Sequence, residues 1–445
     1  MKKVLILGAG MVVKPIVKYL LDRDFGVTVA TRTKSKAEAM IGDHPNGKAV
    51  AWTIDDETVL AQMIEDHDLT VSLLPWMHHI MVAKHCIALK KNMVTTSYVK
   101  PEMKDLDQAA KDAGIIILNE LGLDPGIDHM SAMRIIDHIH NKDGKVEEFY
   151  SFCGALVAPE VEKNPFNYKF TWAPKGVVMA GNNDGNYMRH GEVKYIPTED
   201  LFKNPIKLDF PEVGNLEVYP NRDSMPYIDL YGVPETKTIM RGTFRYERWC
   251  ENVDAMKACG LLSYEKMSLE GKTYAGMLSE LIGVSCPSSI KEETAKYLKI
   301  SPDSPVIEAF EWLGLFNEND IGRNDDSPFE VVADLMISKM MVGEKERDMV
   351  VMQHTFLASY PDGKKEVIKS RMLDFGTLET DTSIARTVAL PAAVGVKMIL
   401  DGEISAKGVH IPVIPEIYNP ILDALEEMDI KMVEEYGLDE TETIK

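Results

Sequence analysis

Four sets of residues have the types and spacing to do chemistry. The first is Gly8-Ala9-Gly10, which follows an apolar run at 4–7 and precedes Val12, Ile16, Val17 and Leu20 at helical spacing. A buried strand, a glycine turn and a helix open a dinucleotide-binding βαβ unit. One glycine turns the chain tightly and the other admits a pyrophosphate to the backbone at the positive helix end. The usual third glycine is absent, and Val13 stands in its place. An ordinary buried βα turn is the bland alternative. The second set is Thr31-Arg32-Thr33-Lys34-Ser35-Lys36, at the end of the next strand. A carboxylate here would take a ribose 2′-hydroxyl, but the stretch holds cations and no acid. It therefore expects NADP(H) rather than NAD(H), unless Arg32 and Lys34 are merely solvated turn residues.

The third set is Asp124 in Leu123-Asp124-Pro125-Gly126-Ile127-Asp128-His129. Asp124 can cap a following helix with Pro125 in its first position, can present a carboxylate beside a nicotinamide, or can do both. The fourth is Arg222, Arg241, Arg245 and Arg248, a dense cluster for so acidic a chain. The guanidinium fork binds carboxylates bidentately, so one or two of these arginines suit a substrate with several carboxylates. The alternative is surface arginines paired with Asp223 and Glu247.

The elements that must position these sets alternate. Strands are expected at 27–30, 49–54 (ending at Asp55), 69–74, 93–97 and 115–118, with helices at 59–64, 80–89 and 101–111. Ser35 and Glu38 have capping-box spacing and start a further helix. Such a rhythm builds a parallel sheet covered on both faces, with ligands beyond the carboxyl ends of its strands. Leu74, Ser97-Tyr98 and the loop after Leu118 then share one edge with the glycine turn. A helix at 131–140 follows, and from Val146 the pattern becomes α+β. A strand at 147–152 leads into Cys153-Gly154-Ala155 and a long stretch to Pro234 rich in Asn, Gly, Pro and Tyr. Helices are expected at 253–262, 274–282, 290–298 and 329–341. Strands at 349–358 and 366–374 flank the turn Pro361-Asp362-Gly363. A long apolar helix at 382–400 is broken only by Pro391, and 418–435 adds further helix before an acidic, frayed tail.

Composition excludes several function classes. The chain has 445 residues, 45% hydrophobic and 27% charged, enough for two or three domains with a large core. A formal net charge of −21 disfavours nucleic acid and anionic membranes as partners. The five cysteines, Cys86, Cys153, Cys250, Cys259 and Cys286, form no CxxC pair, which suits free thiols in the cytoplasm. No signal peptide is visible, and no apolar run approaches the roughly 18 residues of a membrane span. His78, His79 and His85 lack supporting Cys or Glu spacing, so they read as surface and packing histidines and no metal is expected.

The blocks VTTSYVKPEMKDLDQAAKDAGI, NELGLDPGIDHM, CGALVAPE, NPFNYKFTW, YPNRDS and RGTFRY closely resemble the saccharopine reductase family. These are the NADP-dependent, glutamate-forming saccharopine dehydrogenases of the aminoadipate pathway of lysine metabolism. The resemblance runs from Gly8 to about Tyr246 and returns in PAAVGVKMILDGEI. It implies an α/β fold: a variant Rossmann domain at 1–122 and 380–445, an α+β substrate and dimerisation domain at 123–245 and 346–379, and a helical insertion at 246–345. It implies cofactor contacts at Gly8, Ala9, Gly10, Met11, Val12, Thr31, Arg32, Thr33, Asp55, Leu74 and Ser97. It implies substrate contacts at Ser97, Tyr98, Asp124, Arg222, Thr243 and Arg245, with Cys153 by the pocket. Arg241 and Arg248 are not implied.

The implied reaction is reversible reductive amination. Glutamate and 2-aminoadipate 6-semialdehyde condense to an imine, which NADPH reduces to saccharopine in a homodimeric enzyme. Asp124 is the first candidate for proton transfer, with Tyr98 and Cys153 the others. No motif ties a particular histidine to Cys153, so covalent catalysis by its thiol is not expected. Two rivals are a related imine-reducing dehydrogenase of the carboxynorspermidine type and a catalytically inactive NADP-binding regulator. The NRDS and RGTFRY blocks speak against the first, and Ser97-Tyr98 with Asp124 against the second.

Overall fold

Apolar runs of four to six residues, separated by helical spacing, can hide both faces only as the inner strands of a parallel sheet. The computed structural model describes residues 1–285, 289–378 and 380–445. Two units pack separately, 1–146 with 357–443 and 147–356 with 444–445.

In the first unit the strands are β1 (Lys3–Leu7), β2 (Gly26–Thr31), β3 (Gly47–Ala51), β4 (Leu69–Ser72), β5 (Asn92–Val94) and β6 (Ile116–Leu118). The helices are α1 (Lys14–Leu21), α2 (Lys34–Ile41), α3 (Glu57–Glu65), α4 (His79–Ala88), α5 (Pro101–Lys104), α6 (Asp107–Ala113) and α7 (Ile127–His140). The sheet order is Gly408–His410, β6, β5, β4, β1, β2, β3, and every pairing is parallel. The order reverses between β1 and β4, which is where such sheets open a ligand crevice. Val4, Leu5, Ile6 and Leu7 are fully buried.

Several local expectations need correction here. The helix expected at 101–111 is two short helices, α5 and α6. Thr33, not Ser35, is the N-cap of α2, and Glu38 ion-pairs with Lys34 at 3.0 Å instead of closing a capping box. Pro391 does not break its helix, which runs unbroken over Ser383–Asp401. That helix has 19 residues and a mean hydropathy of 1.5, long and apolar enough to span a membrane, contrary to the expectation that no run comes close. Most of it is buried against α1, β4 and β5 as a core helix. The helix expected over 418–435 ends early: Pro415–Glu426 is helical, but Val433–Leu438 is a strand antiparallel to Lys365–Phe375. Glu435 sits opposite Lys369 there and ion-pairs with Arg371. Pairing partners outside the segment override its helical appearance. The tail is not frayed as expected, since Glu440–Glu442 forms a short 3₁₀ turn and Glu442 accepts from Lys369 Nζ at 2.6 Å.

In the second unit β7 (Lys145–Val157) runs straight through Cys153-Gly154-Ala155, beyond its expected end. Glycine at 154 permits this, because a Cβ there would lie 2.7 Å from Phe244 Cβ. The stretch to Pro234 is not irregular as its composition suggests. It contains β8 (Gly185–Arg189), β9 (Glu192–Ile196), β10 (Ile206–Phe210), β11 (Gly214–Pro220) and β12 (Arg222–Asp223), followed by β13 (Thr238–Tyr246). The sheet order is β10, β11, β13, β7 and then Asp348–Ser359, with β8 also pairing β9, β12 and β13. Helices follow at Trp249–Ala258, Tyr274–Leu281, Ile290–Leu298, Pro305–Leu313 and Pro328–Met340. Thr273, Ser289, Ser304 and Ser327 cap the last four with side-chain oxygens. The helix at Pro305–Leu313 falls where only turns are expected. Ser304 followed by Pro305 is its overlooked start signal. Cys86, Cys153, Cys250 and Cys259 are free and buried, and Cys286 lies outside the described residues.

Candidate active site

The residues expected to hold the dinucleotide lie at or just beyond the carboxyl ends of β1 to β5. Gly8 leaves β1 with φ +110 and donates its N–H to Ala30 O at 2.9 Å. A Cβ on Gly8 would sit 2.8 Å from Leu73 O, so the turn requires glycine. A Cβ on Gly10 would meet nothing within 4 Å, so no neighbour in the chain explains that glycine. The open space there leaves room for a ligand to approach the backbone. Met11 is exposed and Val12 half-buried, while Val13 is 1% exposed and anchors the start of α1. Thr31 ends β2, and Arg32 and Thr33 are exposed just before α2. Arg32 makes no ion pair among the described residues, so its charge is available to a 2′-phosphate. Asp55 lies in an exposed turn before α3, and Leu74 is half-buried after β4. These residues fit an adenine dinucleotide carrying a 2′-phosphate.

Behind this edge lies a polar chain that sequence reading treats only as packing. His79 is 4% exposed. Its Nδ1 lies 2.8 Å from Ser72 Oγ, and its Nε2 lies 2.8 Å from Ser97 Oγ and 3.4 Å from Thr95 Oγ1. Burial, with His78 nearby, pushes the His79 pKa down to about 4, so the ring is neutral near pH 7. His85, by contrast, faces Glu57 at 3.2 Å.

Tyr98 and Asp124 meet. The Tyr98 hydroxyl donates to Asp124 Oδ1 at 2.8 Å. Asp124 does not cap α7, which corrects the capping alternative. Gly126 is the N-cap, and Asp128 Oδ1 accepts from Gly126 N at 2.6 Å. Pro125 follows a cis peptide bond and lies before the helix, not in its first turn. Gly126 has φ +146, and a Cβ there would collide with the Gly122 backbone.

Glu120 holds the other half of this pair in place. Its backbone N–H donates to Ser97 O at 3.2 Å, and its Oε1 accepts from Val99 N at 2.8 Å. Its Oε2 lies 2.7 Å from Nε2 of the fully buried His129. Both sides of Tyr98 are thus pinned by one carboxylate residue. Glu120 and His129 escape sequence reading, although both lie in the NELGLDPGIDHM block. Charged residues in an otherwise apolar, buried loop are the signal that could have found them.

The second unit gathers another group. Cys153 on β7, Thr243 on β13 and Tyr219 on β11 are lateral neighbours on three adjacent strands. By strand alternation Arg241 and Arg245 share their face. Arg245 is 3% exposed. Its guanidinium lies 5.0, 5.7 and 5.5 Å from the ring centroids of Tyr168, Tyr219 and Trp249. Nη1 donates to Phe244 O at 2.8 Å, but Nε has no partner and the group makes no ion pair among the described residues. Glu217 is its cross-strand neighbour, yet accepts from Cys250 N at 3.4 Å, and burial raises its pKa.

Arg241 bonds to the Tyr227 hydroxyl. Arg222 is exposed on the short β12, with φ +59. Arg248 is exposed and faces Glu308 at 3.9 Å. Asp223 accepts from Asn186 and Met225, and Glu247 pairs with Lys207. Tyr98, Asp124 and Ser97 belong to the first unit, whereas Cys153, Arg222, Thr243 and Arg245 belong to the second.

Known proteins match nearly the whole of this chain. Residues 4–118 match the saccharopine dehydrogenase NADP binding domain, and residues 122–430 match the saccharopine dehydrogenase C-terminal domain. The chain is 37% identical over 435 residues to the bovine mitochondrial alpha-aminoadipic semialdehyde synthase, covering 95% of this chain but only 46% of that protein. The chain thus spans about half the length of that relative. It is 36% identical to the Schizosaccharomyces pombe saccharopine dehydrogenase [NADP(+), L-glutamate-forming], covering 98% of this chain and 99% of that one. The solved apo saccharopine dehydrogenase (L-Glu forming) of Saccharomyces cerevisiae superposes with a TM-score of 0.91 at 34% identity, covering 98% of this chain and all of that one. A homospermidine synthase of Legionella pneumophila shares the fold alone, with a TM-score of 0.58 at 9% identity.

Proposed function

The chain belongs to the saccharopine dehydrogenase family, and from that membership we propose that it is an NADP-dependent, L-glutamate-forming saccharopine dehydrogenase. It interconverts saccharopine, water and NADP⁺ with glutamate, 2-aminoadipate 6-semialdehyde, NADPH and a proton. The observation that carries this reading is the Tyr98–Asp124 hydrogen bond, two groups able to move a proton at the carboxyl edge of a dinucleotide-binding sheet.

Gly8 to Val12 hold the pyrophosphate, Arg32 and Thr33 with Thr31 take the 2′-phosphate side, and Asp55, Leu74 and Ser97 line the remainder. The chemistry that the dinucleotide supplies when bound is hydride exchange with the carbon of the C–N bond being oxidised or reduced. The chain's own residues do the rest. In the oxidative direction the secondary amine loses a proton as its carbon loses hydride, leaving an imine. Water adds to that carbon, and the C–N bond of the carbinolamine breaks to give aldehyde and amine. Asp124, with Tyr98 as its hydrogen-bonded neighbour and Cys153 as the third candidate, carries the protons. Such catalysis is worth about 10²–10⁴-fold.

Saccharopine has three carboxylates. Arg222, Arg245 and Thr243 receive them, together with Ser97 and Tyr98. A buried guanidinium with no carboxylate of its own supports this role for Arg245, since an uncompensated buried charge is costly without a ligand. We further assign the enzyme to the cytoplasm as a homodimer, with the three domains divided as the sequence suggests and no nucleic-acid or membrane partner.

The test is saccharopine oxidation with NADP⁺ and with NAD⁺ in separate assays, following reduced nucleotide and free glutamate. Turnover with NADP⁺ and stoichiometric glutamate are expected. Reductive coupling of the semialdehyde to a diamine but not to glutamate would overturn the assignment.

A further inference from the structure

The Ser72–His79–Ser97 chain joins the ends of β4 and β5 through the first residue of α4. Ser72 is fully buried, and among the described residues its hydroxyl has one hydrogen-bond partner, His79 Nδ1 at 2.8 Å. A buried hydroxyl proton needs an acceptor. If Nδ1 carried the ring proton, the Ser72 O–H would have none. The arrangement is satisfied when Ser72 donates to Nδ1 and the ring proton sits on Nε2. Nε2 then donates to Ser97 Oγ at 2.8 Å. Ser97 becomes an acceptor toward His79, and its own proton is left to point away from the ring.

We propose that His79 is a positioning residue for the reaction: it fixes the Ser97 hydroxyl as a hydrogen-bond donor toward a carboxylate or carbonyl oxygen of the bound ligand. This rests on the reading that Ser97 lies in the site. Two ligands offer such an oxygen, the substrate through a carboxylate and the cofactor through its carboxamide. Without the ring, the Ser97 hydroxyl could rotate and offer lone pairs instead, which repels an anionic oxygen. The neutral ring suits this role, since a charged imidazole would donate at both nitrogens and leave Ser72 no acceptor.

The test uses the full-length enzyme with Ser97→Ala, His79→Leu, His79→Gln and the double variant Ser97→Ala/His79→Leu. KM for saccharopine and for NADP⁺ and kcat are measured for each, with thermal melting as the fold control. Ser97→Ala should raise one of the two KM values about tenfold, and which one identifies the ligand oxygen. His79→Leu should raise the same KM by a similar factor. The double variant should be no worse than Ser97→Ala within about twofold, because His79 acts through Ser97. His79→Gln, whose amide can reach Ser97 as a donor, should recover part of the loss, and it carries the test if His79→Leu does not fold.

Losses that multiply in the double variant would overturn the relay while leaving Ser97 in the site. So would wild-type KM values in both His79 variants when Ser97→Ala is impaired. Unchanged kinetics in Ser97→Ala would instead remove Ser97 from the site, and the relay with it.

Discussion

Tyr98 donates its hydroxyl proton to Asp124 across 2.8 Å, and the two come from different loops of one sheet edge. At the start of α7, Gly126 is the N-cap and Asp128 accepts from its N–H. Tyr98→Phe and Asp124→Asn should each lower kcat for saccharopine oxidation by about 10²-fold or more. Because the pair acts as a unit, the double variant should be little worse than the weaker single variant. Full kcat in Tyr98→Phe would restrict proton transfer to Asp124 and Cys153.

Glu120 ties Tyr98 to the core through the fully buried His129. Removing one partner of a buried hydrogen-bonded pair leaves the other unsatisfied and typically costs about 1–3 kcal/mol. Glu120→Ala should therefore lower the unfolding free energy by roughly that amount in urea titration. Its kcat should also fall, since the 97–99 backbone loses its clamp. Glu120→Gln keeps an acceptor for Val99 N and should lie between the two. An unchanged urea midpoint in Glu120→Ala would show that the pair stabilises nothing.

Cofactor choice should depend on Arg32. A charge-assisted contact to phosphate contributes about 1.5–3 kcal/mol. Arg32→Ala should reduce kcat/KM for NADP⁺ by at least about tenfold and leave that for NAD⁺ within about twofold. Equal losses with both nucleotides would place Arg32 in general binding and not in 2′-phosphate recognition.

The arginines should separate stability from binding. Arg245 is a buried cation without an ion-pair partner among the described residues, so Arg245→Met should leave the melting temperature unchanged or raise it. The same change should raise the saccharopine KM about tenfold or more. Arg222 is exposed, so Arg222→Ala should be neutral for stability and should also raise that KM about tenfold. A lower melting temperature with an unchanged KM in Arg245→Met would assign Arg245 to the core alone.

His79 should leave a signature in the pH dependence of stability. Burial lowers its folded pKa to about 4, below the unfolded value near 6.5. Between these values the unfolded chain binds the extra proton. The contribution is therefore complete above about pH 6.5 and is lost as pH falls toward 4, up to about 3 kcal/mol in all. Buried Glu217 and half-buried Glu434, whose pKa values are raised by desolvation, act in the opposite sense, so the comparison must be between variants. Wild type should lose more stability than His79→Gln between pH 7 and pH 5. Parallel curves for the two proteins would mean that His79 protonates without cost.

How far sequence alone reaches depends on where a residue's partner lies. The glycine turn at Gly8, the run of short buried strands and the cationic end of β2 are legible because each is a local pattern. Strand burial, turn geometry and helix spacing all show within about ten residues of chain. Even here local signals mislead when a distant partner intervenes. Ser35 and Glu38 look like a capping box, yet Lys34 claims Glu38. The 433–438 segment looks helical, yet the strand Lys365–Phe375 takes it as a partner.

The site's working contacts are of the second kind. Tyr98 finds Asp124 from 26 residues away, and His79 finds Ser97 from 18. Composition and spacing could nominate Asp124 and the arginines as chemical residues. They could not say that Asp124 meets Tyr98, that Glu120 holds the Tyr98 backbone, or that Arg245 lies buried with no ion pair among the described residues. Those facts depend on which side chains the folded sheets bring within about 3 Å of each other. Hydrogen bonds and ion pairs act only over that short range, and the register of strands far apart in the chain decides which groups fall within it.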